Sequence, residues 1–379
     1  MQEQTDTVTT TTTTPQYTLR QATDDEFKQN TFDSYPQWGK PLTPEQYWGR
    51  EVVSKAVVTN HRPWVLLYDG KTVSSCETYG ENSAYCYIDD DQFTMHRGRS
   101  ESVASVFVSE KYRGKGYASI MMNMLREQCQ REGAIFVDLY SDINPQFYAK
   151  CGWTEYSRQS VIIDLSQYPA TATATATDRT DITMIDSSNY VPIVHMEIEK
   201  TTLVFKERWQ HFRQQLNQQQ HPDNNAADGI PTHLFGKLLT PERVAWHMSQ
   251  VQLYSQSLQI QPVPTCFGVK INATDSSMFW FQDFRDRELY IFHLTAANKE
   301  DFKTMIDLAV AEARKYGFNE VKFWYNDSDK IKPEYLEHIG QKIVIRDGSV
   351  PMAVDWIPPN APSISGKGMF INIEKFVWV

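Results

Sequence analysis

Between residues 117 and 131 the apolar positions fall at helical spacing: Tyr117, Ile120, Met121, Met124 and Leu125, with Gln128 closing the stripe. That spacing predicts an amphipathic helix over Tyr117 to Arg131, punctuated by Gly133. Apolar runs predict strands at Tyr17 to Arg20, Trp64 to Tyr68, Thr72 to Tyr79, Ser102 to Val108 and Ile135 to Tyr140. Asp69-Gly70 joins two of them as a hairpin. A helix over Pro44 to Lys55 opens with Thr43 as N-cap and proline in its first turn. Asp89 to Arg99 reads as an irregular insert. The order of elements implies an α+β domain whose sheet is mostly antiparallel, split by one parallel βαβ step.

The second half echoes the first. Trp38-Gly39-Lys40-Pro41-Leu42-Thr43-Pro44-Glu45 matches Phe235-Gly236-Lys237-Leu238-Leu239-Thr240-Pro241-Glu242 at six of eight positions. Further on, a helix over Phe302 to Lys315, then Gly317 and a strand over Glu320 to Tyr325, repeats the order of helix, Gly133 and strand. Two ordered matches predict an internal duplication.

Two stretches have too little apolar bulk to offset their ordering entropy. One is the threonine-rich tail, residues 1–15. The other is the Ala/Thr alternation around 170–177, so a linker is expected over 169–181, between a first domain at 16–168 and a second at 182–379. The polar run Gln214 to Asp228 reads as a solvated loop.

Composition narrows the function. No run approaches the ~20 apolar residues of a membrane span. A net charge of −10 argues against nucleic acid, which rewards a basic face, and is compatible with a cationic substrate. Five cysteines, none in CxxC spacing, point to a reducing compartment with no disulfide framework and no metal site. The chain start has no signal-like apolar core, and the ending Phe-Val-Trp-Val is no retention or peroxisomal address, so the cytoplasm is the expected location.

The candidate chemistry lies in Val106-Phe107-Val108, a strand that leads through Ser109 to Tyr112 into Arg113-Gly114-Lys115-Gly116-Tyr117-Ala118. The first turn of a helix has unpaired N–H groups and the positive end of the dipole, which suits a pyrophosphate. Gly114 and Gly116 let the backbone approach and take positive φ, Ala118 keeps the surface low, and Arg113 and Lys115 add charge. A nucleotide P-loop would need Ser or Thr after its Gly-Lys, and a dinucleotide fold would need glycine at position 119, where Ser119 stands.

Arg113-x-x-Gly116-x-Ala118 resembles the Q/R-x-x-G-x-G/A signature of the GNAT acetyltransferases, and Val106-Phe107-Val108 resembles their fourth strand. Asn144-Pro145-Gln146-Phe147-Tyr148-Ala149-Lys150-Cys151-Gly152-Trp153 is similar to their N…FYxxxGF segment, with Trp for Phe. The resemblance implies a GNAT fold and acetyl-CoA as cosubstrate. It implies that Val106 and Val108 hydrogen-bond the pantetheine arm through their backbone, that Asn144 touches the cofactor, and that Tyr148 lies near the thioester sulfur. In the second half, Ala296-Ala297-Asn298-Lys299-Glu300-Asp301 replaces the glycine loop with two acids, so that unit is expected to bind no CoA and to close over the acceptor.

An amine attacks a thioester only when neutral, and a lysine ε-amine has a pKa of ~10.4, so a base is needed. Tyr148 is the candidate acid for the departing thiolate. The family's fourth-strand base position falls on Ser102. Glu101 beside it is the candidate base if a bulge turns it inward, with Glu77 and His96 as rivals. Glu77, His96, Arg97 and Arg99 are candidate acceptor contacts, the arginines for a substrate carboxylate. An acyl-cysteine at Cys151 has no histidine placed beside it.

The arrangement of a GNAT unit, an Ala/Thr linker, a degenerate second unit and the ending from Gly368 to Val379 resembles the fungal L-lysine N6-acetyltransferase family. That resemblance implies free L-lysine as acceptor, in lysine degradation. Acetylation of protein lysines, of a polyamine, or a non-catalytic CoA-dependent sensor are the alternatives.

Overall fold

The computed structural model describes residues 16–169, 179–219, 230–325, 331–356 and 367–375. The threonine-rich tail, the Ala/Thr alternation and the last four residues lie outside the described residues.

In chain order the first half runs β1 (Tyr17–Gln21), α1 (Asp24–Trp38), α2 (Pro44–Val57), β2 (His61–Tyr68), β3 (Lys71–Tyr87) and β4 (His96–Phe107). A single turn (Glu110–Tyr112) leads to α3 (Tyr117–Arg131), β5 (Phe136–Ser141), α4 (Gln146–Lys150), β6 (Thr154–Glu155) and β7 (Gln159–Asp164). The second half runs β8 (Ile182–Ile185), α5 (Tyr190–Gln219), β9 (His233–Lys237), α6 (Pro241–Ser257), β10 (Gly268–Ile271), β11 (Ser276–Asp283) and β12 (Glu288–Thr295). Then come α7 (Lys299–Lys315), β13 (Glu320–Trp324), α8 (Pro333–His338), β14 (Ile343–Ile345), β15 (Val350–Asp355) and β16 (Gly368–Phe370).

Local chemistry accounts for the helix starts. Thr43 accepts from the Gln46 N–H at 3.3 Å, and Thr240 accepts from the Arg243 N–H at 3.2 Å, so both Thr-Pro-Glu segments cap helices. The rest of that eight-residue match does not share a conformation. Trp38 ends α1, whereas Phe235-Gly236-Lys237 is strand, with Phe235 opposite Tyr85 of β3. Partners distant in sequence set the backbone there. The stronger echo is further on. The series α3, Gly133, β5, α4, Gly152 is matched by α7, Gly317, β13, α8, Gly340, and all four glycines have positive φ.

Two sheets result, and they exchange strands. The first runs β1-β2-β3-β4-β5-β15-β6, with β9 added to β3 and β16 to β9; the second runs β14-β7-β13-β12-β11-β10-β8. Thus β15 of the second half lies between β5 and β6, with Met352 opposite Leu139. In return β7 lies between β13 and β14, with Val161 opposite Phe323. Both visitors bring core residues: Met352 packs in the cluster of Met121, Leu125 and Val137, and Val161 and Ile163 pack with Phe302 and Ile306. A boundary at residue 168 therefore divides the chain but not the sheets.

Other departures are local. The strand expected to end at Tyr79 continues to Tyr87, because β9 and β4 pair with its extension. The expected insert shortens, since β4 begins at His96. The polar run from Gln214 is helical as far as Gln219, glutamine being a good helix former. Phe370 stacks on Phe235 at 5.1 Å and lies 5.4 Å from Phe136, tying the C-terminal segment to the first sheet. No helix among the described residues is long and apolar enough to cross a membrane.

Candidate active site

The glycine loop has the geometry an anion requires. Gly114 and Gly116 sit at φ +77° and +79°, and Gly116 is the N-cap of α3. A Cβ at either glycine would stand in open space, so conformation and access, not packing, explain the residue type. Arg113 Nε donates to the Val108 carbonyl at 3.0 Å and pins the loop to the end of β4. Arg113, Gly114, Lys115 and Gly116 are exposed, while Tyr117 is buried against Tyr68 and Tyr112. These residues fit the pyrophosphate of a CoA thioester.

Strand β4 opens next to this loop. It pairs with β5 in parallel only over Glu101, Ser102 and Val103. Beyond them the strands part, and Ser105 takes φ +52° where the register with β3 shifts. A cavity of about 200 Å³ occupies the gap. Ser102, Ala104, Ser105 and Val106 form one wall, Leu139 to Ile143 another, and Tyr148 faces it from α4. Since β5 no longer pairs with residues 104–106, their backbone can bond an extended ligand.

Tyr148 is buried, its ring held edge-on by Phe147 at 4.8 Å and Trp153 at 6.1 Å. Burial pushes its phenol well above the ordinary value, with Cys76 and Cys151 nearby adding to the shift, so it stays protonated. Asn144 is exposed, and its Oδ1 accepts the Gln146 N–H at 2.9 Å in the turn that precedes α4.

Glu101 is not in this cavity. The bulge lies at Ser105, past Glu101, so Ser102 keeps the inward face and Glu101 points to the other, on the side of Cys129 of α3. There its carboxylate is fully buried, paired with Arg62 at 2.8 Å and Arg99 at 3.0 Å. His96 stacks on Tyr85 at 4.9 Å, and exposed Arg97 lies beside it on the far end of β4. His96, Arg97 and Arg99 do not line the cavity.

Glu77 does lie close. It lines a small chamber of about 20 Å³ that shares Tyr47 and Ser105 with the large cavity. His61 Nε2 is 2.6 Å from its carboxylate, and the Tyr79 hydroxyl donates at 3.2 Å. Burial opposes charge on Glu77, but the His61 hydrogen bond and charge hold its carboxyl below the ordinary range.

The cavity also holds residues that sequence reasoning missed: Arg50 on α2 and Arg285, just past β11 of the second half. Arg50 is paired with Glu51 and lies over the Tyr47 ring at 4.5 Å. No apolar stripe marks Arg50 in the sequence: the buried positions of α2 at i, i+3, i+4, i+7 are Tyr47, Arg50, Glu51 and Ser54, three of them polar. Nothing local marks Arg285, which arrives by tertiary packing.

Among the described residues the second unit carries no comparable loop. Asn298 caps α7, and Asp301 in its first turn is buried, bonded by Thr274 at 2.5 Å, Ser276 at 3.0 Å and Arg179 at 2.9 Å. A carboxylate with its own partners stands where a phosphate would bind.

Comparison with known proteins identifies the family and the fold. Residues 20–153 match the acetyltransferase (GNAT) family, and residues 181–379 match the LYC1 GNAT-like C-terminal domain. A protein named lysine acetyltransferase from Yarrowia lipolytica is 24% identical, over 82% of this chain and 85% of its own. The crystal structure of a GCN5-related N-acetyltransferase from Kribbella flavida superposes with a TM-score of 0.53 at 11% identity, covering 89% of this chain and 71% of its own. A tandem GNAT protein from the clavulanic acid biosynthesis pathway superposes at 0.49 and 11% identity, covering 92% of this chain and all of its own. The chain belongs to the GNAT acetyltransferases, with a second half of the LYC1 GNAT-like kind.

Proposed function

We propose that this acetyltransferase moves an acetyl group from acetyl-CoA to the ε-amine of free L-lysine, in the cytoplasm, as a step of lysine degradation. The observation that carries the reading is the pair Arg50 and Arg285, one from each half, lining the same cavity as Tyr148 and the bulged β4. Two guanidinium groups suit a carboxylate and repel a polyamine. A cavity walled by both halves suits a small acceptor better than a protein chain. The lysine acetyltransferase relative supports the same substrate class.

In this reading Gly114 to Ala118 bind the pyrophosphate with Arg113 and Lys115, and the open edge of Ala104 to Val108 holds the pantetheine arm. Acetyl-CoA supplies the activated acyl group. Glu77 is the base: the chamber beside it has room for one water to carry the amine proton to its carboxylate. Tyr148 Oη gives a proton to the departing sulfur, and solvent resets both groups. The test is to incubate the protein with acetyl-CoA and L-lysine and to identify the product by NMR. N6-acetyl-lysine is expected; N2-acetyl-lysine, or no product, contradicts the proposal.

A further inference from the structure

A second chamber, of about 70 Å³, adjoins the transfer cavity, and the two share Arg50 and Arg285 in their walls. Apart from Arg50, the second half alone builds it. Trp246 and Tyr254 face it from α6, at i and i+8 on one helix face, and Phe281 and Asp283 face it from β11. Asp283 is positioned by the backbone: its Oδ1 accepts the N–H groups of Arg285 at 3.0 Å and Asp286 at 3.2 Å. Its Oδ2 lies 3.8 Å from the Arg285 guanidinium. The chamber thus presents two guanidinium groups, Arg50 paired with Glu51 and Arg285 with Asp283 and, at 3.4 Å, Asp286, together with one fixed carboxylate and aromatic walls, a set that complements a zwitterion and not a simple cation.

We propose that this chamber is the head-group site of the acceptor. It takes the α-amino acid portion: Arg50 and Arg285 hold the carboxylate, and Asp283, with the aromatic faces of Trp246 and Tyr254, holds the α-ammonium. The aliphatic stem then passes between the two arginines and delivers the terminal amine to the cavity faced by Tyr148. The second half is in this way the specificity module, selecting amino acids that carry a distal amine. This inference rests on the free-amino-acid reading above and assigns the residues that read the acceptor.

The test uses the full chain, saturating acetyl-CoA and three acceptors: L-lysine, 6-aminohexanoate, which lacks the α-amine, and 1,5-diaminopentane, which lacks the carboxylate. Wild-type protein is expected to show at least a tenfold higher KM for each truncated acceptor. Arg285→Met should raise KM at least tenfold for L-lysine and 6-aminohexanoate and lower it for 1,5-diaminopentane, which no longer meets that cation. Asp283→Asn should raise it for L-lysine and 1,5-diaminopentane and leave 6-aminohexanoate unchanged. If Arg285→Met gives no cooperative melt, Arg285→Lys keeps the charge without the fork and should give the same ranking with a smaller rise. Equal losses on all three acceptors, or KM values within twofold of wild type, overturn the head-group site while lysine turnover by wild type leaves the activity standing. Failure of wild type to use L-lysine overturns both.

Discussion

Lys237 on β9 donates from Nζ to Asp138 Oδ2 on β5 at 2.5 Å, and both side chains are fully buried. The same ammonium reaches the Tyr140 hydroxyl at 2.8 Å, and Ser102 donates to Asp138 Oδ1 at 2.8 Å. Tyr140 and Ser102 are walls of the transfer cavity, so an ion pair between the halves backs the site. The pair is not a net source of stability, because its desolvation offsets its attraction, but breaking it strands a buried charge. Lys237→Met should destabilise the fold by about 3–5 kcal/mol in urea denaturation. Adding Asp138→Asn should recover part of that loss; strictly additive losses would show that the two do not interact.

Gly116 caps α3 at φ +79° with open space over its Cα. Gly116→Ala should cost about 1 kcal/mol of stability from the backbone alone. Its larger effect should be on KM for acetyl-CoA, raised at least tenfold, since the new methyl stands where the backbone must approach the pyrophosphate. Steady-state kinetics with the cosubstrate varied would show it, and an unchanged KM would remove the loop from the binding site.

Tyr148→Phe keeps the ring packing against Phe147 and Trp153 and removes the proton donor. It should leave the melting temperature near wild type and lower kcat by roughly 10²-fold or more. Burial raises the phenol pKa above its ordinary value near 10. The acid form is lost only as pH rises through that higher value, so wild-type kcat should not fall between pH 7 and pH 9. A descending limb in that window would assign the acid to another group.

Glu77→Gln should lower kcat by roughly 10²-fold with little change in KM for acetyl-CoA. Its folded pKa is depressed, so the carboxylate persists as pH falls through the ordinary glutamate range and protonates only below it. Any stability it contributes is likewise present above its unfolded pKa and lost as pH falls through the folded value. Full activity in the variant would exclude Glu77 as base.

Much of this architecture was legible in the sequence, and what was not has a physical reason. The helix Tyr117–Arg131 appears with the predicted ends, because its apolar stripe and flanking glycines are local signals. The strand exchange was not legible. Val161 and Ile163 would complete either sheet equally well by hydrophobicity, and strand partners are set by packing. Glu101 was read as a base on the condition of a bulge; a bulge exists, but at Ser105, where it leaves Glu101 with Arg62 and Arg99. Arg97 and Arg99 are the arginines that the sequence offers for a substrate carboxylate, whereas the arginines in the cavity are far from them in sequence. Arg50 sits on a buried helix stripe, and Arg285 belongs to the other half of the chain.

The most direct measurement is the release of CoA thiol from acetyl-CoA in the presence of L-lysine, N2-acetyl-lysine, spermidine, a histone-tail peptide or no acceptor. Release with L-lysine well above the rate without acceptor, and strongly reduced with N2-acetyl-lysine, is the predicted result. Release driven by spermidine or the peptide, with none from L-lysine, would contradict the free-lysine assignment.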